Sequence, residues 1–349
     1  MAIAAMVAIP GTVILAAAAA GTLGFDFLSY HQAAVRVLAG ERLYDPSIQQ
    51  SGGFGLFYYP PPFALAVLPF GLLGSSAAIW AWLGLSIAML VTAIWVLPVG
   101  RHVRWATLLL AGLSWPVAYA LKLGQVGPLL LLLFAIGWRG LDRPAILGSA
   151  SAFGAIVKLQ PGIILAWAVL TRRWLAVALG VGLLAIASLV ATLVLGGTAA
   201  WWDFMTLLAN VADPITTPHN FTPGAAAFQA GLDPEVAAAI QLASTGLVIV
   251  IVVGTALRLG PDASYLVAVV ASQLLSPILW DHYAMLLLLP TAWLLERRQW
   301  WALLVPLATS VAVLFVGAPA GLYPLAFWAA LLGVTVVGWR ERRAEREPH

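Results

Sequence analysis

The sequence predicts an all-α integral membrane protein: a polytopic bundle of about 12 transmembrane helices with two long extracytoplasmic loops. Three observations lead there. Of 349 residues, 62% are hydrophobic and only 9% are charged, against roughly 25% charged in soluble domains. Mean hydropathy is +0.97. Apolar stretches recur along the whole chain, separated by short loops that carry arginines. The apolar content excludes a disordered chain, and the absence of cysteine excludes a disulfide-stapled secreted one.

A spanning helix needs ~20 apolar residues. Residues 1–24 supply the first, and without a basic leading segment they read as an uncleaved helix rather than a signal peptide. The first outer loop, 25–59, opens on an amphipathic helix over residues 27–38 with Asp26 as its N-cap, then runs through Gly, Tyr and Pro. Segment 60–74 starts with three prolines and is too short to span alone; it reads as re-entrant or as the upper part of a kinked helix. Residues 76–99 span. Segments 106–121, 125–138, 145–157 and 161–171 are shorter and less regular, so they must tilt, pair or line a cavity. Residues 176–196 span and lead to the second outer loop, 197–235. Spans at 236–257, 263–280, 300–316 and 322–339 follow, with the less regular segment 283–295 among them, and 340–349 form a cytoplasmic tail; the whole chain reads as one polytopic domain.

The charges set the orientation. Of 17 Lys and Arg residues, 13 are arginines in the loops near 101–104, 139–143, 172–173, 258 and 297–298 and in the tail. Placing these on the cytoplasmic side follows the tendency of basic residues to stay inside. The pI of about 9.4 then reflects topology and contact with the lipid bilayer, not nucleic-acid binding. Four basic residues remain: Arg36, Arg42, Lys122 and Lys158, the last two being the only lysines.

Ionisable groups at the membrane boundary are candidates for chemistry. Asp26 follows the first span; as well as an N-cap, it is a carboxylate placed to act as a general base. Lys158 lies in an apolar stretch beside Pro161, where an ammonium either snorkels to the interface or binds a lipid phosphate. Lys122 and Gln125 share that setting, although a lone Gln often joins helices by hydrogen bonds. Asp281 and His282 fall between two spans; they form an interfacial turn, or a pair in which the imidazole donates to phosphate or shuttles a proton. His219 and Asn220 in the second loop are either a solvated turn or a polar substrate contact. The histidines at 31, 102, 219, 282 and 349 show no metal-ligand spacing, and no phosphate-binding glycine loop is present. No metal or cofactor is therefore expected.

Ordered motifs connect these positions: Asp-Phe-x-x-Tyr-x-x-Ala-Ala from Asp26 through Tyr30 to Ala34, Gly-x-x-Leu-Tyr-Asp from Gly40 to Asp45, Tyr59-Pro60-Pro61, Gly124-Gln125, Lys158-x-x-Pro161 and Ser276-Pro277-x-x-Trp280-Asp281-His282. In order and spacing they resemble the polyprenyl-phosphate-sugar-dependent enzymes of glycosyltransferase family 87, which include actinobacterial mannosyltransferases. The resemblance runs from about 24 to 300. It implies a GT-C-type fold in the cell membrane with the active site outside the cytoplasm, a polyprenyl-phosphate sugar donor (mannose being the expected sugar), and a glycolipid or lipoglycan acceptor of cell-envelope biosynthesis. It further implies Asp26 as catalytic base and His282 as a catalytic, phosphate-facing group. Lys158 and Lys122 would join His282 at the donor phosphate, and Tyr30, Tyr59, Gln125, His219, Asn220 and Asp281 would contact substrate. Tyr283-Ala284 departs from the family's pattern after the histidine.

A multi-span transporter or lipid flippase is the alternative. It predicts several midplane charges and internal repeat symmetry, whereas Lys158 is the one intramembrane charge and no repeat is evident. A non-catalytic scaffold gives no reason for two outer loops rich in Asp, His, Asn and Tyr.

Overall fold

A computed structural model describes residues 2–44, 56–210, 213–314 and 320–346. The described residues are mostly helical, joined by turns and short irregular stretches, without strands. Four helices are long and apolar enough to cross a membrane: Ser75–Val96, Trp174–Val194, Pro234–Arg258 and Leu322–Ala344. A fifth arises if Arg101–Leu113 and Trp115–Leu123, bent by 66° at Ser114, count as one. The remaining apolar segments form shorter helices, among them Gly127–Arg139, Pro144–Val157 and Pro261–Leu274. At 1.5 Å per residue, 14 helical residues rise about 21 Å, short of the ~30 Å hydrocarbon layer. Among the described residues four or five helices thus qualify as candidate spans, fewer than the about 12 expected, and the other apolar segments form shorter helices.

The interruptions have local causes. Pro116, beside Ser114, lacks the amide that would continue the helix before it. Pro161 follows the break at Lys158, where the backbone is extended, and a short 3-10 turn, Gln160–Gly162, leads into Ile163–Leu170. Pro277 lies in the non-helical stretch after Leu274, which shortens the expected 263–280 span. Segment 60–74 forms two short helices, Pro61–Ala66 and Leu68–Gly71, and does not span by itself.

The amphipathic helix Phe27–Leu38 forms where expected. Its buried residues Phe27, Tyr30, His31 and Ala34 recur at the three- and four-residue spacing of one helical face. His31 Nε2 ties that face to the carbonyl of Leu73 at 3.0 Å. Pro261–Leu274 and the segment 281–295 are buried on all sides, so they are central. Trp174–Val194 and Pro234–Arg258 expose most of their apolar side chains, as helices solvated by hydrocarbon do.

Two sets of loops gather separately. On one side, Arg139 donates to Val96 O, Trp138 Nε1 to Asp262, Arg173 to Leu141 O and Gly100 N to Glu296. These are the arginine-bearing loops assigned to the cytoplasm by charge. In the other set, Gly24 and Asp26 meet Lys122 and Leu123, Lys158 meets Tyr283, Gln160 meets Ser276, and Asn220 meets Pro277 and Leu279.

Candidate functional site

The site grows from the junction of residues 24–26, at the start of segment 25–59, with the end of Trp115–Leu123. Gly24 N donates to Lys122 O at 2.8 Å and Asp26 N to Leu123 O at 2.9 Å. Gly124 closes that helix at φ +70°, and a Cβ there would lie 2.6 Å from Phe27 Cβ. Glycine is required for both the left-handed turn and the close approach. Trp82 Nε1 fixes the Gly124 carbonyl at 2.8 Å. Gln125 is consequently delivered to Asp26.

Asp26 holds the N-cap position of Phe27–Leu38, yet its side chain makes no capping bond. Its Oδ2 instead accepts from Gln125 Nε2 at 2.5 Å. Gln125 Oε1 faces the hydroxyls of Tyr59 at 3.3 Å and Tyr30 at 3.5 Å, and these two hydroxyls are 2.6 Å apart. Tyr30 is fully buried and Tyr59 nearly so. Burial holds the Tyr30 phenol well above its ordinary value, with Tyr59 and Asp26 reinforcing the shift. Burial pushes Tyr59 up to about 12, with the Lys158 charge acting in the opposite direction. Both phenols are neutral at physiological pH.

Lys158, at the end of Pro144–Val157, donates to Tyr283 OH at 2.9 Å and lies 4.4 Å from the centre of that ring and 5.7 Å from that of Tyr59. Asp26 is within electrostatic reach of this ammonium. Asp281 and His282 begin a 3-10 segment, Asp281–Leu287. Tyr323 OH shapes its start, bonding to the carbonyls of Trp280 and Asp281 and to the amide of Ala284. His282 is buried, and neither ring nitrogen has a hydrogen-bond partner among the described residues. Its Nδ1 is 3.5 Å from Asp281 Oδ1, within ion-pair range but without hydrogen-bond geometry. Gln125, Lys158, Gln273, His282 and Tyr283 line one small cavity of about 10 Å³, the volume of roughly one water.

The structure therefore brings together Asp26, Tyr30, Tyr59, Gln125, Lys158, Asp281 and His282. Lys122 turns aside, with Nζ 5.3 Å from the centre of the Tyr119 ring. Asp26 and Asp281 both lie within electrostatic range of that tyrosine. His219 is exposed, in a left-handed turn at φ 58°. Its neighbour Asn220 is fully buried and committed to backbone: Nδ2 donates to Pro214 O and Pro277 O, while Oδ1 accepts from Thr222 N and Leu279 N. All its side-chain hydrogen bonds go to the chain itself, fastening the second loop to the segment before Asp281.

Sequence reasoning missed four contributors. In the sequence Tyr283 stands out only as a departure from a motif. Tyr323 starts a long apolar helix, where tyrosine ordinarily signals an interfacial anchor. Arg42 and Asp203 join segments 25–59 and 197–235 through paired bonds of 2.6 Å, Nε to Oδ2 and Nη2 to Oδ1; charge alone does not pair them. Among the described residues, no group of three or more His, Asp or Glu side chains is arranged to hold a metal.

The profile described as Glycosyltransferase family 87 matches residues 57–279. That interval includes Tyr59, Lys122, Gln125, Lys158, His219 and Asn220; Asp26, Tyr30, Asp281 and His282 lie outside it. No curated protein and no solved structure matches the chain.

Proposed function

The chain belongs to glycosyltransferase family 87, and on that premise we propose that it transfers mannose from a polyprenyl-phosphate donor to a glycolipid or lipoglycan acceptor, at the extracytoplasmic face of the cell membrane. One observation favours Asp26 and its neighbours as the reacting centre. A carboxylate, an ammonium and an imidazole whose two nitrogens have no partner among the described residues surround Gln125 and a small cavity. Buried polar atoms lacking partners carry a desolvation cost unless a ligand satisfies them.

In this reading Asp26 takes the proton of an acceptor hydroxyl as that oxygen attacks the anomeric carbon from the face opposite the phosphate. The new carbon–oxygen bond forms as the bond to the phosphate oxygen breaks, and the electron pair leaves on the phosphate. Configuration inverts, so a β-linked donor gives an α-linked product. Lys158 and His282 supply positive charge or N–H groups to the departing phosphate, a form of stabilisation that counts most where water is excluded. Lys122, its ammonium over the Tyr119 ring, serves approach of the anionic head group. Asp281 lies beside His282, its Oδ1 3.5 Å from Nδ1, and shares the site with it. His219 is exposed on the second loop, and in this reading it meets the acceptor. The phosphate ester is already an activated leaving group, so the reaction requires no nucleotide.

The test incubates purified protein in detergent or nanodiscs with labelled polyprenyl-phosphate mannose and candidate glycolipids. The expected result is labelled glycolipid, formed equally with a chelator present and lost in Asp26→Asn. Normal transfer by Asp26→Asn would falsify the base assignment. Movement of labelled lipid across vesicles without any product would instead support the transporter class.

A further inference from the structure

Tyr30 and Tyr59 are buried and bonded to each other and to Gln125, a poor arrangement for contacting a sugar directly. We infer that Tyr30, Tyr59 and Gln125 are positioning residues: a hydrogen-bonded relay that fixes which end of the Gln125 amide faces Asp26, and thereby aims the carboxylate. This rests on the reading of Asp26 as general base.

Each phenol carries one proton. One proton lies in the 2.6 Å contact between the two hydroxyls, which leaves the other for Gln125 Oε1. The amide oxygen is held by that donor, so the amide N–H₂ must point the other way, onto Asp26 Oδ2. Rotating the amide would turn its oxygen on a carboxylate, and two acceptors would face each other. The relay thus gives Asp26 a donor, the partner that suits the base form. It occupies Oδ2 and leaves Oδ1 to receive a proton. The backbone of Asp26 is fixed independently by Leu123 O, so the relay sets side-chain direction, not chain position. Other groups acting on Asp26 are Lys158, from the break after Pro144–Val157, and Tyr119, from Trp115–Leu123. Asp281 and Tyr283, from Asp281–Leu287, act on the same tyrosines and lysine. None of these bonds the amide, so they stay in place when the relay is cut.

The experiment compares kcat and KM against pH for the parent protein, the Tyr30→Phe/Tyr59→Phe double variant and Gln125→Met, each first checked for a monodisperse, folded state. The expected result is an acid limb of kcat displaced to higher pH by about one unit in both variants, with donor KM little changed. A uniform fall in rate with an unmoved acid limb would overturn the proposal and leave the relay a packing device. Tyr59→Phe alone, in which Tyr30 still reaches Oε1, should move the limb less and in the same direction. An infrared titration of the carboxyl band that Asp26→Asn abolishes gives the same displacement without turnover. If Asp26→Asn proves fully active, the base reading fails, an outcome separate from an unmoved limb.

Discussion

Lys158 and Tyr283 lie 125 residues apart in sequence and meet at 2.9 Å, ammonium to phenol oxygen, with the same ammonium 4.4 Å from the centre of the ring. Tyr283 therefore aims the charge that faces the cavity. Tyr283→Phe keeps the ring contact and loses the hydrogen bond. Donor KM should rise several-fold, consistent with roughly 1 kcal/mol, with a smaller effect on kcat. Lys158→Ala should lower kcat/KM by at least about 100-fold, and Lys158→Arg should restore only part of it because the planar fork cannot occupy the same place. Initial rates against donor concentration distinguish these outcomes.

Asn220 should behave as a structural residue. Asn220→Ala leaves the amides and carbonyls that its buried side chain satisfies without partners, at a cost of about 3 kcal/mol. Asn220→Asp should also destabilise, because an oxygen replaces the donor facing Pro214 O and Pro277 O. Thermal unfolding in detergent should show a lower transition for both, whereas His219→Ala, at an exposed turn, should leave the transition nearly unchanged.

Gly124 and Gly21 form a matched pair. Both have positive φ, +70° and +67°, but a Cβ at Gly124 meets Phe27 and Trp82 whereas one at Gly21 meets nothing within 4 Å. Gly21→Ala should cost about 1 kcal/mol through backbone conformation alone. Gly124→Ala adds a collision with the residue next to Asp26, so it should lose both stability and transfer activity. Melting and rate measurements on the two variants separate the effects.

Arg42 and Asp203 should couple the two outer loops. The carboxylate is largely buried and the guanidinium mostly exposed, so the pair should show an interaction of about 1 kcal/mol in a double-variant cycle that combines Arg42→Ala with Asp203→Ala. The value should shrink with added salt.

Alkaline pH should loosen the first outer loop. Tyr30 and Tyr59 both have folded values above the ordinary phenol value of 10.0, with Tyr59 at about 12. A raised folded value means the stabilisation is complete below about pH 10 and declines as pH rises toward 12. Absorbance titration should show these two phenols ionising late, and the Tyr30→Phe/Tyr59→Phe variant should lack that part of the alkaline loss.

Local periodicity made the helices legible. Phe27–Leu38 follows from apolar residues at helical spacing, and Ser75–Val96, Trp174–Val194, Pro234–Arg258 and Leu322–Ala344 lie close to the expected segments. The breaks at Ser114, at Lys158 and after Leu274 were less legible, because hydropathy continues across them and only nearby prolines mark the change. For the site, the rarity of charge exposed Asp26, Lys158, Asp281 and His282 as exceptions. Their partners could not be read from spacing: Asp26 and Gln125 are 99 positions apart, and what joins them is a left-handed glycine against Phe27. Lys122 illustrates the converse. It carries the same charge as Lys158, but Tyr119, one turn earlier on its own helix, decides where it points.

Asp26, Gln125, Lys158 and His282 all sit at the ends of helices or in the joints between them, not along helical faces. Helix length is thus the ruler that sets the depth at which each group stands. Adding a single residue within Pro144–Val157 would carry Lys158 about 1.5 Å along the helix axis and turn it by ~100°. Substitutions on the lipid-facing flanks leave that ruler unchanged, but one-residue insertions or deletions reset it. The helices beneath the site should therefore tolerate wide exchange of apolar side chains while resisting any change in length.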